Sequence, residues 1–494
     1  MPDASEVARV CSSLVTIVRI SSSDKDSDQD EEHLQLAHFS VKEYLISGQI
    51  EENFRRSLHD TAARSAIAKV SLIYLLSLDH GLDDASQCKI QFPLSKYSAR
   101  HWIENAALAK ESDEDLQELI LELFTSQKEA YHTWLNLYDP DCPWKKDDLL
   151  ERNLRLRVGF FPHPLYYASS QGLFASVQSL LQHGADVNDR GGHYGNALQA
   201  ASYRGDERVV RLLLDEGAEV NADGGKYGNA LQAASYGGNE RVVQLLLDEG
   251  AEVNAEGEEY DNALGGQYGN ALQAASYGGN ERVVQLLLDE GAEVNAEGGQ
   301  YSNALQAASI EGHEGVVRLL LNKGADVNAE AETYSNALQA ASEGGHETVV
   351  RLLLDEGADV NAQGDQQGSA LQAACYEGNE RVVRLLLDKG AEVNAQGTYY
   401  GNALEAASEF GHETVVRLLL DKGADINAQG RDNSYALHAA SRGGHETVVR
   451  LLLDKGADVN AQGGEYSNAL QAASRGGHKT VVRLLLENGA GVNA

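Results

Sequence analysis

The chain has 494 residues, with 40 Lys+Arg against 75 Asp+Glu and a net charge of −35. A surface that acidic repels nucleic-acid phosphates and anionic lipid, so neither nucleic acid nor a membrane is an expected partner, and basic or neutral proteins are favoured. Cys11, Cys88, Cys142 and Cys375 are too scattered for metal, redox or disulfide pairing, and the chain has neither signal-peptide regions nor an apolar run of bilayer length; the expected setting is the cytoplasm, with the nucleus as the alternative.

Residues Ser12 to Ile20 alternate as a strand does, an acidic loop runs from Ser21 to Glu32, and HLQLAHF reads as a second strand. Ser40 then opens a helix with the capping box Ser40-Val41-Lys42-Glu43. The loop sets Asp24, Asp26, Asp28, Asp30 and Glu32 at alternate positions, as a calcium loop begins. Such a loop needs Gly at its sixth place and Glu at its twelfth, and Gln29 and Gln35 stand there instead, so a solvated hairpin loop is expected. LQLAHFSVKEYL resembles the end of the winged-helix part of NACHT-type signalling ATPases, particularly fungal NOD-like receptors that carry ankyrin arrays. The resemblance implies a nucleotide-sensing role for the His at the helix start, which His38 matches. No G-x-x-x-x-G-K-[ST] phosphate loop occurs in the chain and only 37 residues precede His38, so the family's ATPase core is missing and His38 is expected to be a structural remnant.

From Phe54 to Tyr138 three segments carry apolar residues three and four apart and predict helices. Trp102, Trp134 and Trp144 fall in and just after this region and are expected in its core. The stretch from Tyr138, with two prolines and dense charge, reads as a loop. The region is expected to form a helical bundle covering the near end of the repeats that occupy the rest of the chain.

Those repeats are copies of one phrase. YGNALQAASYGGNERVVQLLLDEGAEVNAEG runs from Tyr227 to Gly257 and again, letter for letter, from Tyr268 to Gly298. The first alanine of NALQAA, or its counterpart, falls at 197, 230, 271, 304, 337, 370, 403, 436 and 469, with Pro164 one period earlier. Every step is 33 residues except that from 230 to 271, which is 41 because of the extra YDNALGGQ from Tyr260 to Gln267. A fixed period of this size defines a repeat architecture. Within a unit, Asn229 can cap a small-residue helix with Gln232 reaching back. Gly237-Gly238 break that helix, a second runs from about Glu240 to Glu249, and Gly250 suits the left-handed position after it. One such unit cannot bury its apolar face, but a stack can. The extra eight residues are expected to bulge from the connecting turns. The last unit shows no polar closing sequence, so its outer face reads as uncapped.

The period and the GHETVVRLLLDKGADINAQG phrase from Gly411 to Gly430 resemble the ankyrin repeat. Asn stands for the family's capping Thr, Ala for its Pro and Gln for its His, which only His438 keeps. The family's turn glycine, three residues before its Pro, is here usually Tyr, so a differently shaped finger is expected. The whole reads as an all-α fold: an ankyrin-repeat solenoid of about ten helix-turn-helix repeats with β-hairpin fingers, preceded by a helical bundle and a winged-helix remnant. The expected boundaries are 1–50, 51–158 and 159–494.

No constellation argues for catalysis, a metal or a cofactor. His313, His346, His412, His445 and His478 recur one per unit. Stacked helices lie about 8–10 Å apart, too far for neighbouring histidines to share an ion, and a turn-stabilising role fits them better. Glu207 and Arg211 are spaced as a helix-surface pair. In the ankyrin family partners bind a concave face built from fingers and first helices, and two registers map there. The finger register holds Tyr194, Tyr227, Tyr268 and Tyr301 and changes little along the stack, which fits hairpin packing. The first-helix register holds Tyr203, Tyr236, Tyr277, Ile310, Glu343, Tyr376, Glu409, Arg442 and Arg475 and changes along it, which fits recognition, since Tyr and Arg are common interface anchors. The tyrosines and arginines of both registers are the candidate partner-binding residues. The expected function is non-catalytic protein binding as the sensor part of a NACHT-ankyrin-like protein, with a truncated nucleotide switch or a passive scaffold as alternatives.

Overall fold

The computed structural model describes residues 15–20, 31–36, 61–78, 94–126, 128–141, 162–257, 268–330, 336–364, 368–397, 401–431 and 434–492. The chain divides into two compact units, Met1–Lys145 and Lys146–Ala494. His38, the Ser40 helix, the acidic loop from residue 21 to 30, Trp144 and the Tyr260–Gln267 insertion lie outside the described residues.

In the first unit β1 (Val15–Ile20) pairs antiparallel with β2 (Glu31–Leu36), Val15 opposite Leu36 and Ile20 opposite Glu31. β2 starts at Glu31, two residues before the His33 at which the sequence pattern begins, because pairing with β1 rather than alternation sets where it begins. Among the described residues beyond them stand four helices: α1 (Thr61–Leu76), α2 (Ser95–Ala107), α3 (Glu114–Leu121), which continues into a π turn over Glu122–Ser126, and α4 (Lys128–Leu137). Asp113 caps α3 by accepting from the Leu116 N–H at 3.3 Å. Trp102 and Trp134 meet edge to face at 5.0 Å between centroids, with Phe124 and Tyr131 against them. The Trp134 indole donates to the Ala99 carbonyl at 2.8 Å, so α2 and α4 are joined by a polar contact inside an aromatic core.

Among the described residues the second unit holds ten helix pairs, from Pro164–Gln171 with Phe174–Gln182 in repeat 1 to Ala469–Arg475 with Lys479–Glu487 in repeat 10. Repeat 3 shows why the phrase folds so. Asn229 accepts from the Gln232 N–H while the Gln232 side chain accepts from the Asn229 N–H, both at 2.9 Å. The first helix (Ala230–Tyr236) buries all but its last residue, which small side chains make possible against a neighbour on each side. The second (Glu240–Asp248) buries Val242, Val243, Leu245 and Leu246 and keeps its charged residues outside. Gly250 comes next at φ 88°, where a side chain would be strained.

The fingers depart from extended hairpins. Among the described residues they are single bridges, such as Gly224 with Gly228, each closed by one hydrogen bond (Gly224 N–H to Gly228 carbonyl, 2.7 Å). In six repeats a left-handed residue sits two places before the first helix (Gly195, Gly228, Ser302, Gly368, Gly401 and Ser467), and Gly192, Gly225, Gly299 and Gly464 are left-handed as well. Shifting that conformation one position from the family's usual glycine frees the preceding position for a tyrosine. At the insertion the same closure holds across a longer gap, Gly257 N–H to Gly269 carbonyl at 2.9 Å, and the helices on either side stack as elsewhere.

Candidate partner-binding face

Three kinds of polar contact recur between neighbouring repeats, and in repeats 2–5 tyrosines join them on one face. Gln199 donates from Nε2 to the carbonyls of Ala222 at 3.0 Å and Gly228 at 2.9 Å in the following finger. Gln232, Gln273 and Gln339 do the same one repeat on in each case, and His438 reaches Ala461 at 3.1 Å. Asn280 donates to the Ser235 and Tyr236 carbonyls at 3.0 and 2.9 Å, closing off the preceding first helix. The recurrent histidines take this same place: His313 to Tyr277, His346 to Ile310, His412 to Tyr376, His445 to Glu409 and His478 to Arg442, all 2.8–2.9 Å. Their role is to tie repeats together rather than to hold a turn within one. Asn188 bonds both the Gly217 carbonyl and the Glu219 N–H, and the Asn after each second helix repeats the pattern down to Asn460.

The tyrosines form two interleaved columns. Tyr227, Tyr268 and Tyr301 are buried, at 3, 1 and 6 % exposed, and Tyr194, Tyr203, Tyr236, Tyr277 and Ile310 pack against them half-exposed. Finger rings stack at 5.8–5.9 Å between centroids: Tyr194 on Tyr227, Tyr227 on Tyr268, Tyr268 on Tyr301. First-helix rings stack at 6.0 and 6.2 Å: Tyr203, Tyr236, Tyr277. Within a repeat the two columns touch at 4.6–5.4 Å, and Tyr277 meets Tyr301 of the next repeat at 4.5 Å. The Tyr227–Tyr268 step spans the insertion unchanged. Burial raises the phenols of Tyr227 and Tyr268 well above their ordinary range.

The structure thus brings Tyr194, Tyr203, Tyr227, Tyr236, Tyr268, Tyr277 and Tyr301 into one surface. The other candidates stand apart. Tyr376 meets Phe410 edge-on at 4.3 Å. Arg442 pairs with Glu409 of the preceding repeat. Arg475 lies over the Tyr466 ring at 5.2 Å. The finger register, three residues before the first alanine of each repeat, continues through Tyr334, Gln367, Tyr400 and Asn433, which lie outside the described residues, to Tyr466.

Helix pairs of constant period, a left-handed finger residue and carbonyl-capping histidines define a helical repeat solenoid. The family model for ankyrin repeats (3 copies) matches residues 165–257, 258–331, 338–430 and 404–494, and the chain belongs to the ankyrin-repeat family. It is 36% identical over 208 residues to azaphilone pigments biosynthesis cluster protein L of Monascus ruber, covering 40% of this chain and 42% of that protein. The chain therefore spans under half the length of that curated relative. The ankyrin repeat domain of human ASB11 matches at 25% identity with a TM-score of 0.40, over 44% of this chain and 98% of that one. Ankyrin arrays are protein–protein interaction modules, and among the described residues no helix is long and apolar enough to cross a membrane.

Proposed function

We propose that the array is a non-catalytic module that binds a polypeptide along the tyrosine face, with Tyr203, Tyr236 and Tyr277 as apolar anchors. The observation that supports this is the half-exposed column backed by a buried one: rigid aromatic rings held in place beforehand cost little ordering on binding. Tyr227, Tyr268 and Tyr301 serve as backing, and Tyr194 as the edge of the face. Tyr376, Arg442 and Arg475 extend it as a separate, more polar patch. The acidic array favours a basic or neutral protein in the cytoplasm over nucleic acid. Replacing Tyr203, Tyr236 and Tyr277 together with Ala should weaken capture of the partner from cell extract while circular dichroism is retained; undiminished capture sinks the reading.

The LQLAHFSVKEYL resemblance supports a place for this module in a NACHT-ankyrin-like signalling protein, with 1–50, 51–158 and 159–494 as its parts. An upstream phosphate loop in the transcript would support that placement. Purified chain that binds no ADP would rule out a nucleotide role for His38 in this form.

A further inference from the structure

The first-helix register and its edge carry three acids whose surroundings differ. Glu311 is hydrogen-bonded to the Tyr277 phenol. Glu409 is paired with Arg442, which stands one repeat further on in the same register. Glu343 has neither kind of partner. Tyr376, not a cation, stands one repeat beyond it. Its Oε2 is shut off from solvent and accepts no hydrogen bond. Burial, and then the charge of Glu377, raises its carboxyl above the ordinary range. A carboxylate in this state destabilises the fold unless something outside the chain completes it.

The ladder supplies a measure of what that something is. Successive first-helix rings are 6.0 and 6.2 Å apart. Two residues of a β-strand advance about 6.4–6.8 Å and return the side chain to the same face. An extended segment lying along the face therefore presents every second side chain to successive repeats. Resting on the reading of this face as the interaction surface, we infer that the partner is an extended segment with apolar side chains at alternate positions over Tyr203, Tyr236, Tyr277 and Ile310, and a Lys or Arg two residues further on that pairs with Glu343. The basic residue stands eight positions from the one over Tyr203, since four repeats separate Tyr203 from Glu343. The net acidity of the array favours the same occupant, because long-range attraction brings a basic segment to it.

The test uses a random twelve-residue peptide library displayed on phage and selected on the full chain, with counter-selection on the Tyr203/Tyr236/Tyr277 to Ala variant. Peptides that need the tyrosines should show alternating apolar residues and one Lys or Arg at that spacing. Their affinity should fall by about ten-fold or more on Glu343→Gln, and selection on Glu343→Arg should replace the basic residue with Asp or Glu. Gln keeps the shape of Glu343, and a melting temperature no lower than that of the parent chain confirms that the variant is folded. Peptides that need the tyrosines but ignore Glu343, or carry no basic residue at that spacing, overturn the inference and leave the interaction face standing. If no selected peptide needs the tyrosines, the face itself fails, and the inference with it.

Discussion

Repeats 2–5 and repeats 6–9 share one backbone plan and are held by different contacts. In repeats 2–5 the rings of each unit stack on those of the next. The residue after the last Asp of the second helix is there mostly acidic: Glu216, Glu249 and Glu290. In the later repeats the first-helix column of tyrosines is broken by Glu343, Glu409 and Arg442, and that same position, still Glu356 in repeat 6, is Lys in repeats 7–9. Lys389 reaches Asp355 and Lys422 reaches Asp388, both at 2.8 Å, and Lys455 reaches Asp421 at 3.7 Å. Lys323, at the seam, already reaches Asp289 at 2.9 Å. The comparison teaches that neighbouring units can be joined by buried apolar stacking on one face or by exposed charge on the other. The first is strong and insensitive to salt, the second weak and screened.

Removing a backing ring should break this contrast most. Tyr268→Ala opens a hole between repeats 3 and 5, with an expected loss of about 3–5 kcal/mol. Tyr203→Ala, on the half-exposed column, should cost about 1 kcal/mol. Hydrogen exchange is the suitable readout, since a repeat array opens locally: protection should fall in repeats 3–5 for Tyr268→Ala and barely change in repeats 7–9. Equal losses in both halves would remove the distinction.

Next in size is the polar tie that both halves share. Asn280→Ala leaves the Ser235 and Tyr236 carbonyls without their partner, at a cost of about 1–3 kcal/mol, and Asn280→His should restore most of it, because His performs this role in later repeats. A thermal melt of the three proteins checks the order.

Glu405 tests the same logic with the opposite sign. It stands where other repeats have Gln, is buried, and accepts from the Arg431 N–H at 2.8 Å. A carboxylate cannot donate to the next finger's carbonyls as Gln does. Burial raises its pKa in the folded chain above the unfolded value. The folded protein then takes up a proton more readily, so wild-type stability is depressed above the folded pKa and recovers as pH falls through it. Glu405→Gln should raise stability by about 1 kcal/mol at neutral pH, and the gap should narrow in acid. A gap independent of pH would show that the charge is immaterial.

Much of this was legible because it is local. The period, the Asn229 cap, the small-residue helix and the Gly250 stop each depend on residues within a few positions of one another. The contacts that join repeats were not. Gln232 reads as half of a capping box and is that, yet its amide also reaches Gly269, 37 positions away. Asn221 stands in the GAEVN phrase after a second helix, and its partners lie 29 and 31 positions on. Both registers of tyrosine were visible as lists, but their interleaving depends on where a finger meets a helix end. Spacing within one unit does not reveal that.

The smallest effect probes the charge side of the contrast. Asp388 is held below the usual carboxylate range by its hydrogen bond from Lys422, and both side chains are exposed. Replacing Lys422 with Glu gives repeat 8 the acidic residue that Glu249 and Glu290 provide in the early repeats, and sets it near Asp388 without an aromatic column to compensate. At low ionic strength the melting temperature should drop by about a degree, since exposed pairs contribute little. Added salt should shrink that drop, because it screens both the lost attraction and the new repulsion. The corresponding change in the early array, Glu249→Lys beside Asp215, should raise the melting temperature by a similar amount and lose its benefit in the same salt. If both variants behave alike at low and high salt, the exposed lysines do not join the repeats, and the later half must depend on its carbonyl-capping histidines instead.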